Sequence, residues 1–324
     1  MKSVLLIAGG GTLGKYTSAE LLRLGYHVDI ICLEDNVSDN DRLCYYKGYA
    51  ELEYLKEFLK GRRYNGIVNF IHYEDVNTYK PVHKLLSENT EHLIFLSSYR
   101  VYADLEHPIT ETSPTLYDIV RDMDFLENEK YAVPKSKAEL FIRNESGTKN
   151  WTIVRPVISF SDRRLDIVTV SGRLVLELTE AGKEILLPKE AKNLTAGLDW
   201  AGNSGKLIAN LLLNEKAFGE AFTVSSAQNL TWGEVADIYT ELSGATFNWV
   251  DTERYIEEYP WLKDNPWILK YDRLFDRKID NSKILEVTEL KKENFTPIRD
   301  GIKYELEKIN KSEGNNNESN TCKR

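Results

Sequence analysis

Six residues near the start constrain the fold most. Gly9-Gly10-Gly11-Thr12-Leu13-Gly14 follows the apolar run Val4–Ala8 and precedes Tyr16–Leu24, where apolar residues recur at helical spacing before Gly25. Gly9, Gly11 and Gly14 fit G-x-G-x-x-G in a strand–loop–helix setting. That pattern turns the chain tightly, lets a pyrophosphate approach the backbone, and packs helix closely on strand. The free N–H groups and dipole of the helix N-terminus then favour phosphate. Gly9, Gly11, Thr12, Leu13 and Gly14 are therefore candidate cofactor contacts.

The alternation continues beyond the loop. His27–Leu33, Gly66–Ile71, Leu93–Ser97 and Thr152–Arg155 read as strands, and Glu51–Lys60, Tyr79–Glu88 and roughly 131–144 as helices. Strands alternating with helices predict βαβ units and a parallel sheet buried on both faces. The expected class is α/β: a Rossmann-type doubly wound parallel sheet with a smaller mixed α/β C-terminal substrate lobe. Residues 1–158 form the dinucleotide-binding domain, with segments near 196–226 returning to it. Residues 159–310 supply most of the substrate lobe, including expected helices at Gly172–Ala181 and Trp232–Ser243 and a strand at Phe222–Val224. The polar, Asn-rich tail 311–324 is expected to be disordered.

Composition narrows the partners. A net charge of −9 argues against a nucleic-acid partner, which needs a positive face. No apolar stretch is long enough to span a bilayer. Three cysteines without metal-type spacing suggest free thiols in a reducing, cytoplasmic setting. The five histidines form no i,i+4 pair, so no protein-built metal site is expected.

The second constellation is Tyr131-Ala-Val-Pro-Lys135. Residues i and i+4 share a helix face, so phenol and ammonium point the same way. A free tyrosine, with a pKa near 10, is a poor base at neutral pH, and a neighbouring cation favours its phenolate. Tyr131 can then exchange a hydroxyl proton while hydride moves. Ser98, at a strand end, can hydrogen-bond the same substrate oxygen. Pro134 is tolerated in a first helical turn, which puts the helix start near Tyr131.

These pieces, with Phe95-Leu-Ser-Ser-Tyr-Arg-Val-Tyr102, Ala138-Glu139, Arg155-Pro156 and Leu198-Asp199-Trp-Ala201, resemble the extended short-chain dehydrogenases/reductases, the NAD-dependent epimerase/dehydratase family, over roughly residues 3–310. The resemblance implies Ser98, Tyr131 and Lys135 as the catalytic set, with Tyr131 and Lys135 also touching cofactor. It places Ile71, His72 and Ser97 along the cofactor channel, puts Pro156 and Val157 by the carboxamide, and implies a homodimer through helices near 80–90 and 131–144.

The chain also departs from the family pattern. Ala8 stands where the first loop glycine usually is, and Tyr49 where an adenine-binding Asp is common. Cys32, a candidate cofactor contact, ends strand 2 near the usual ribose position, where there is no acid. Glu34 is the candidate ribose ligand. No basic residue is there to hold a 2′-phosphate, which favours NAD and leaves NADP open. Tyr99-Arg100 replaces the Asp-Glu of the 4,6-dehydratases.

For substrate, Ser98, Tyr99, Arg163, Arg173 and Arg277 are the candidates, arginine suiting a diphosphate. Trp249, Trp261, Trp267 and Tyr271 offer either a base-stacking surface or lobe core. Three functions stay open: hydride transfer on a nucleotide-linked sugar, foremost as a 4-epimerase; a reductase or dehydrogenase of another carbonyl or alcohol; and a catalytically idle nucleotide-binding regulator.

Overall fold

The computed structural model describes residues 1–321, with side chains through Lys311. The chain divides into two compact units. The first comprises Met1–Val157, Ala201–Ala227 and Ile279–Asn294; the second comprises Ile158–Trp200, Gln228–Lys278 and the remainder from Phe295.

In chain order the first unit opens with β1 (Ser3–Ile7), α1 (Thr12–Arg23), β2 (His27–Cys32), β3 (Leu43–Lys47), α2 (Leu52–Leu59), β4 (Tyr64–Asn69), α3 (Val76–Glu88) and β5 (Thr90–Leu96). Short helices α4 (Leu116–Ile119) and α5 (Met123–Asn128) lead to α6 (Ala132–Asn144) and β6 (Trp151–Pro156). Helix Ala201–Leu211, strand Glu220–Val224 and helix Ser282–Thr288 complete the unit. Seven strands form one parallel sheet in the order Glu220–Val224, β6, β5, β4, β1, β2, β3. The order reverses between β1 and β4. A crevice opens there beyond the strands' C-terminal ends, the usual place for a dinucleotide.

Burial explains the order. Val4 to Ile7 of β1 are inaccessible to solvent, as expected for a central strand covered on both faces. α1 packs against helix Ala201–Leu211 so closely that a Cβ on Gly205 would meet the Tyr16 backbone carbon at 2.6 Å. The edge strand β3 was not expected, because Leu43-Cys-Tyr-Tyr-Lys47 is half-buried and follows a polar loop. Tyr79, Val82 and Leu86 of α3, with Phe141 and Ile142 of α6, turn into the unit's own core.

In the second unit, parallel strand pairs join Ile158–Phe160 with Leu198–Trp200 and Ile185–Pro188 with Phe247–Val250. Thr231 and Glu234 cap helix Trp232–Ser243 reciprocally, and Gly244, at φ +77°, ends it. The tail departs from expectation. Backbone helix Ile298–Thr321 continues through 311–321, while residues 322–324 lie outside the described residues. A lack of apolar residues limits packing, whereas helix propagation needs only the next backbone hydrogen bond. No helix among the described residues is long and apolar enough to cross a membrane.

Candidate active site

The loop between β1 and α1 is built on contacts that require glycine. A Cβ on Gly14 would lie 2.1 Å from the Gly9 carbonyl oxygen, and one on Gly9 would meet Leu6 and Ile30 within 3 Å. Gly11 faces open space: nothing would lie within 4 Å of its Cβ. It is also the N-cap of α1, makes no side-chain capping bond, and no acidic residue occupies the first turn. The helix N-terminus therefore presents donors and positive dipole to an anion. Ala8 takes a left-handed φ of +56°.

A cavity of about 840 Å³ lies over this loop, lined by Gly10, Gly11, Cys32, Glu34, Tyr49, Ile71 and His72 among others. Gly10 closes against Glu34, whose carboxylate oxygen would be 2.7 Å from an added Cβ. Glu34 thus sits beside the loop, where a ribose hydroxyl acceptor belongs. Tyr49 and Leu33 line the same wall with rings and methyls 70% and 62% exposed. Among the described residues, no lysine or arginine lines the cavity.

α6 begins one residue after Tyr131. The Glu129 carboxylate receives the backbone N–H groups of Tyr131 (2.9 Å) and Val133 (3.0 Å), so an acid caps the helix that carries the tyrosine. Pro134 sits in the first turn, where no intrahelical donor is lost. The Arg100 guanidinium lies over the Tyr131 ring, 4.9 Å from its centroid, and the His72 ring lies 5.1 Å from it. Arg100 also reaches Glu129 at 3.3 Å. Sequence assigned neither Arg100 nor Glu129 a role at the site. Their roles depend on contacts across a loop, although an acid two residues before a helix-opening tyrosine is a usable capping signal.

Lys135 is 2% exposed. Its ammonium donates to the carbonyl oxygens of Leu96 (2.5 Å) and Ile71 (3.3 Å), at the ends of β5 and β4. Burial pulls its pKa down to about 7, with Glu139 opposing. His72 hydrogen-bonds the Lys130 carbonyl at 2.7 Å, so its Nε2 carries the proton. Its Nδ1 is then a buried acceptor with no hydrogen-bond partner among the described residues. Burial, then Lys135, hold the ring's pKa below the ordinary histidine value.

Ser98 is buried and caps the single turn Tyr99–Val101, accepting the Arg100 N–H at 3.2 Å. Its neighbour Ser97 donates to Glu139 at 2.5 Å, and Glu139 holds Arg155 through bonds of 2.9 and 2.5 Å. Glu139 and Arg155, 4% and 3% exposed, lock α6 to β5 and β6.

Other expected contacts fall elsewhere. Ser97 is committed to Glu139, and the Val157 N–H to the Val224 carbonyl at 3.2 Å, so the latter is not free for a carboxamide. Pro156 ends β6 and carries no donor. Tyr99 is 3% exposed and packs as core. Arg277 is buried beside Asp272 and the Tyr271 carbonyl, which removes it from a substrate surface. Arg173 pairs with Glu177 one turn on, 88% exposed. With Arg163 it lines a cavity of about 660 Å³ in the second unit that carries acids as well as bases. Tyr255 meets Tyr259 edge-on and Tyr259 meets Trp261 at a tilt, each with ring centroids 4.9 Å apart, as lobe packing.

No family model matches the chain, and no curated protein matches its sequence. Solved structures do match in fold. The UDP-glucose 4-epimerase of Thermotoga maritima, determined with UDP-glucose, is similar at a TM-score of 0.69 and 15% identity, covering 96% of this chain and 99% of that one. The Bordetella bronchiseptica enzyme WbmG, in complex with NAD, gives 0.69 and 16%, covering 96% and 94%. The Bacillus cereus UDP-glucuronic acid 4-epimerase, with UDP-glucuronic acid and NAD, gives 0.66 and 13%, covering 95% and 99%. The chain shares the fold of these three enzymes.

Proposed function

We propose that this chain is an NAD-dependent enzyme that moves hydride on a nucleotide-linked sugar, acting as a 4-epimerase with Tyr131 as acid/base. One observation carries the reading: Tyr131 and Lys135 stand at the start of a capped helix and touch, at the His72 ring and the Ile71 carbonyl, two residues that line the cavity built on the glycine loop. The cavity fits a dinucleotide in three ways. Gly11 leaves open space at a helix N-terminus, Glu34 offers a ribose acceptor, and His72 holds an unpartnered buried acceptor. The absence of Lys and Arg from its lining favours NAD over NADP. Of the fold neighbours, the T. maritima and B. cereus enzymes are 4-epimerases, determined with UDP-glucose and with UDP-glucuronic acid.

Bound NAD would supply the hydride acceptor and donor. The chain's own residues manage protons and orientation. Tyr131 takes the substrate hydroxyl proton and later returns it, and Ser98 hydrogen-bonds the same oxygen. Lys135 would hold a ribose hydroxyl of the cofactor and, in its protonated form, would add positive charge on the face of α6 it shares with the phenol. Arg100, stacked on the Tyr131 ring, adds a second cation. Glu129 fixes the phenol's backbone by capping α6.

The test is direct. Acid-denatured protein is assayed for released NAD, and intact protein is incubated with UDP-glucose and UDP-glucuronic acid while the C4 configuration is followed. Tyr131→Phe should keep NAD and lose turnover. Full turnover in Tyr131→Phe, or no melting-temperature rise with NAD, overturns the reading.

A further inference from the structure

His27 and Asp29 lie two residues apart on β2, so their side chains share one face of the sheet. Cys44 on β3 is the register partner of Asp29, which puts its thiol on the same face. The three ligand-type atoms lie within 4.8 Å of one another. His27 Nε2 is the common point, 3.2 Å from Asp29 Oδ1 and 4.0 Å from Cys44 Sγ.

Asp29 carries the strongest signal. It is 7% exposed, and its Oδ2 accepts the Tyr64 hydroxyl at 2.5 Å. Its Oδ1 is buried with no hydrogen-bond donor among the described residues, even though an imidazole nitrogen lies 3.2 Å away. A buried carboxylate oxygen left without a donor is costly unless a cation satisfies it. A nucleophilic relay does not explain the cluster. In a Cys-His-Asp relay the acid and the thiol use opposite ring nitrogens, but here both approach Nε2.

We propose that His27, Asp29 and Cys44 form a zinc-type divalent cation site on the β2–β3 edge pair. The donor set is one imidazole, one carboxylate and one thiolate, the ligands of zinc. Zinc bonds of about 2.0–2.1 Å to nitrogen and about 2.3 Å to sulfur are long enough together to bridge the 4.0 Å between Nε2 and Sγ. The 3.2 Å between Nε2 and Oδ1 is equally within reach of one ion. Half-exposed His27 and Cys44 give an entry path and room for a water as fourth ligand. Tyr64 orients Asp29 from behind, as outer partners of metal ligands do. The ion would fasten edge strand β3 to β2. The loop after β3 supplies Gly48 and Tyr49 to the cavity wall.

The test uses the full chain without a histidine tag, reduced, loaded with zinc alone and desalted. Elemental analysis should find one zinc per chain, and zinc should raise the melting temperature reversibly on chelation. Cobalt in its place should show a thiolate charge-transfer band that Cys44→Ser abolishes and Cys32→Ser retains. Tyr64→Phe, which keeps all three ligands, should weaken zinc by about 10–100-fold. Absence of stoichiometric zinc in the wild-type chain, or zinc retained in both His27→Ala and Cys44→Ser, overturns the site. Every readout is independent of NAD and sugar turnover, so failure of the epimerase reading leaves it standing.

Discussion

Replacing Lys135 with methionine should change how stability depends on pH. The ammonium is buried against two carbonyl oxygens, and burial lowers its pKa from 10.5 to about 7. Between pH 7 and about 10 the unfolded chain therefore binds a proton that the folded chain does not, and wild-type stability rises with pH across that window. Below pH 7 both states are protonated and the burial penalty is present in full. At 1.36 kcal/mol per unit, the wild type should gain about 2–3 kcal/mol from this group between pH 6 and pH 9. Methionine removes the titration. The assay is the melting temperature of both proteins at half-unit pH steps. The difference, mutant minus wild type, should fall by roughly 5–10 °C from pH 6 to pH 9, taking about 2–4 °C per kcal/mol. His72 also feels Lys135, but its pKa is depressed below the ordinary histidine value, so its contribution falls below pH 7. Parallel curves above pH 7 would refute the argument. They would mean that Lys135 is solvated or paired strongly enough to stay charged.

Ala8→Gly should stabilise the chain. Ala8 is exposed at φ +56°; relief of about 1–2 kcal/mol of left-handed strain exceeds the about 0.5–1 kcal/mol of added unfolded-state freedom, and a lower urea midpoint would contradict it. Tyr49→Ala should weaken NAD about three- to tenfold by isothermal titration, the loss of one stacking ring, whereas unchanged affinity would remove Tyr49 from the adenine wall. Arg155→Met should cost about 3–5 kcal/mol by stranding buried Glu139, and the double variant Glu139→Leu with Arg155→Met should cost clearly less than the two singles added. Strict additivity in that cycle would show the pair to be uncoupled.

What could be read from sequence follows the range of each interaction. The glycine loop and Tyr131–Lys135 are local patterns. Their meaning depends on neighbours within a turn or two, and Gly14 against Gly9, and α6 opening just after Tyr131, show the geometry the spacing implied. Arg277 and Tyr99 show the opposite case. Residue type says that arginine suits a diphosphate, but only the tertiary environment shows Arg277 beside Asp272 or Tyr99 in the core. Arg100 shows the same limit. It stands where the dehydratases carry an acid, and the structure lays it over the ring of Tyr131.

The same distinction accounts for β3 and the cluster it completes. A histidine search keyed to i,i+4 helical spacing cannot detect His27-x-Asp29, because on a strand the shared face recurs every second residue. Nor can it detect Cys44, which reaches that face only through the β2–β3 register. Once β3 is placed, one pairing, Asp29 with Cys44, brings the thiol to the carboxylate. The strand carrying Cys44 leads into Gly48 and Tyr49 of the cavity wall. If zinc fastens this edge, chelation should weaken NAD binding through the Tyr49 wall while leaving the Tyr131–Lys135 end unchanged. NAD titrated into zinc-loaded and chelated wild-type protein, and into Tyr49→Ala in both states, measures this coupling. The zinc effect on NAD affinity should shrink in Tyr49→Ala; an equal effect in both proteins would show that the edge strand does not act through that ring.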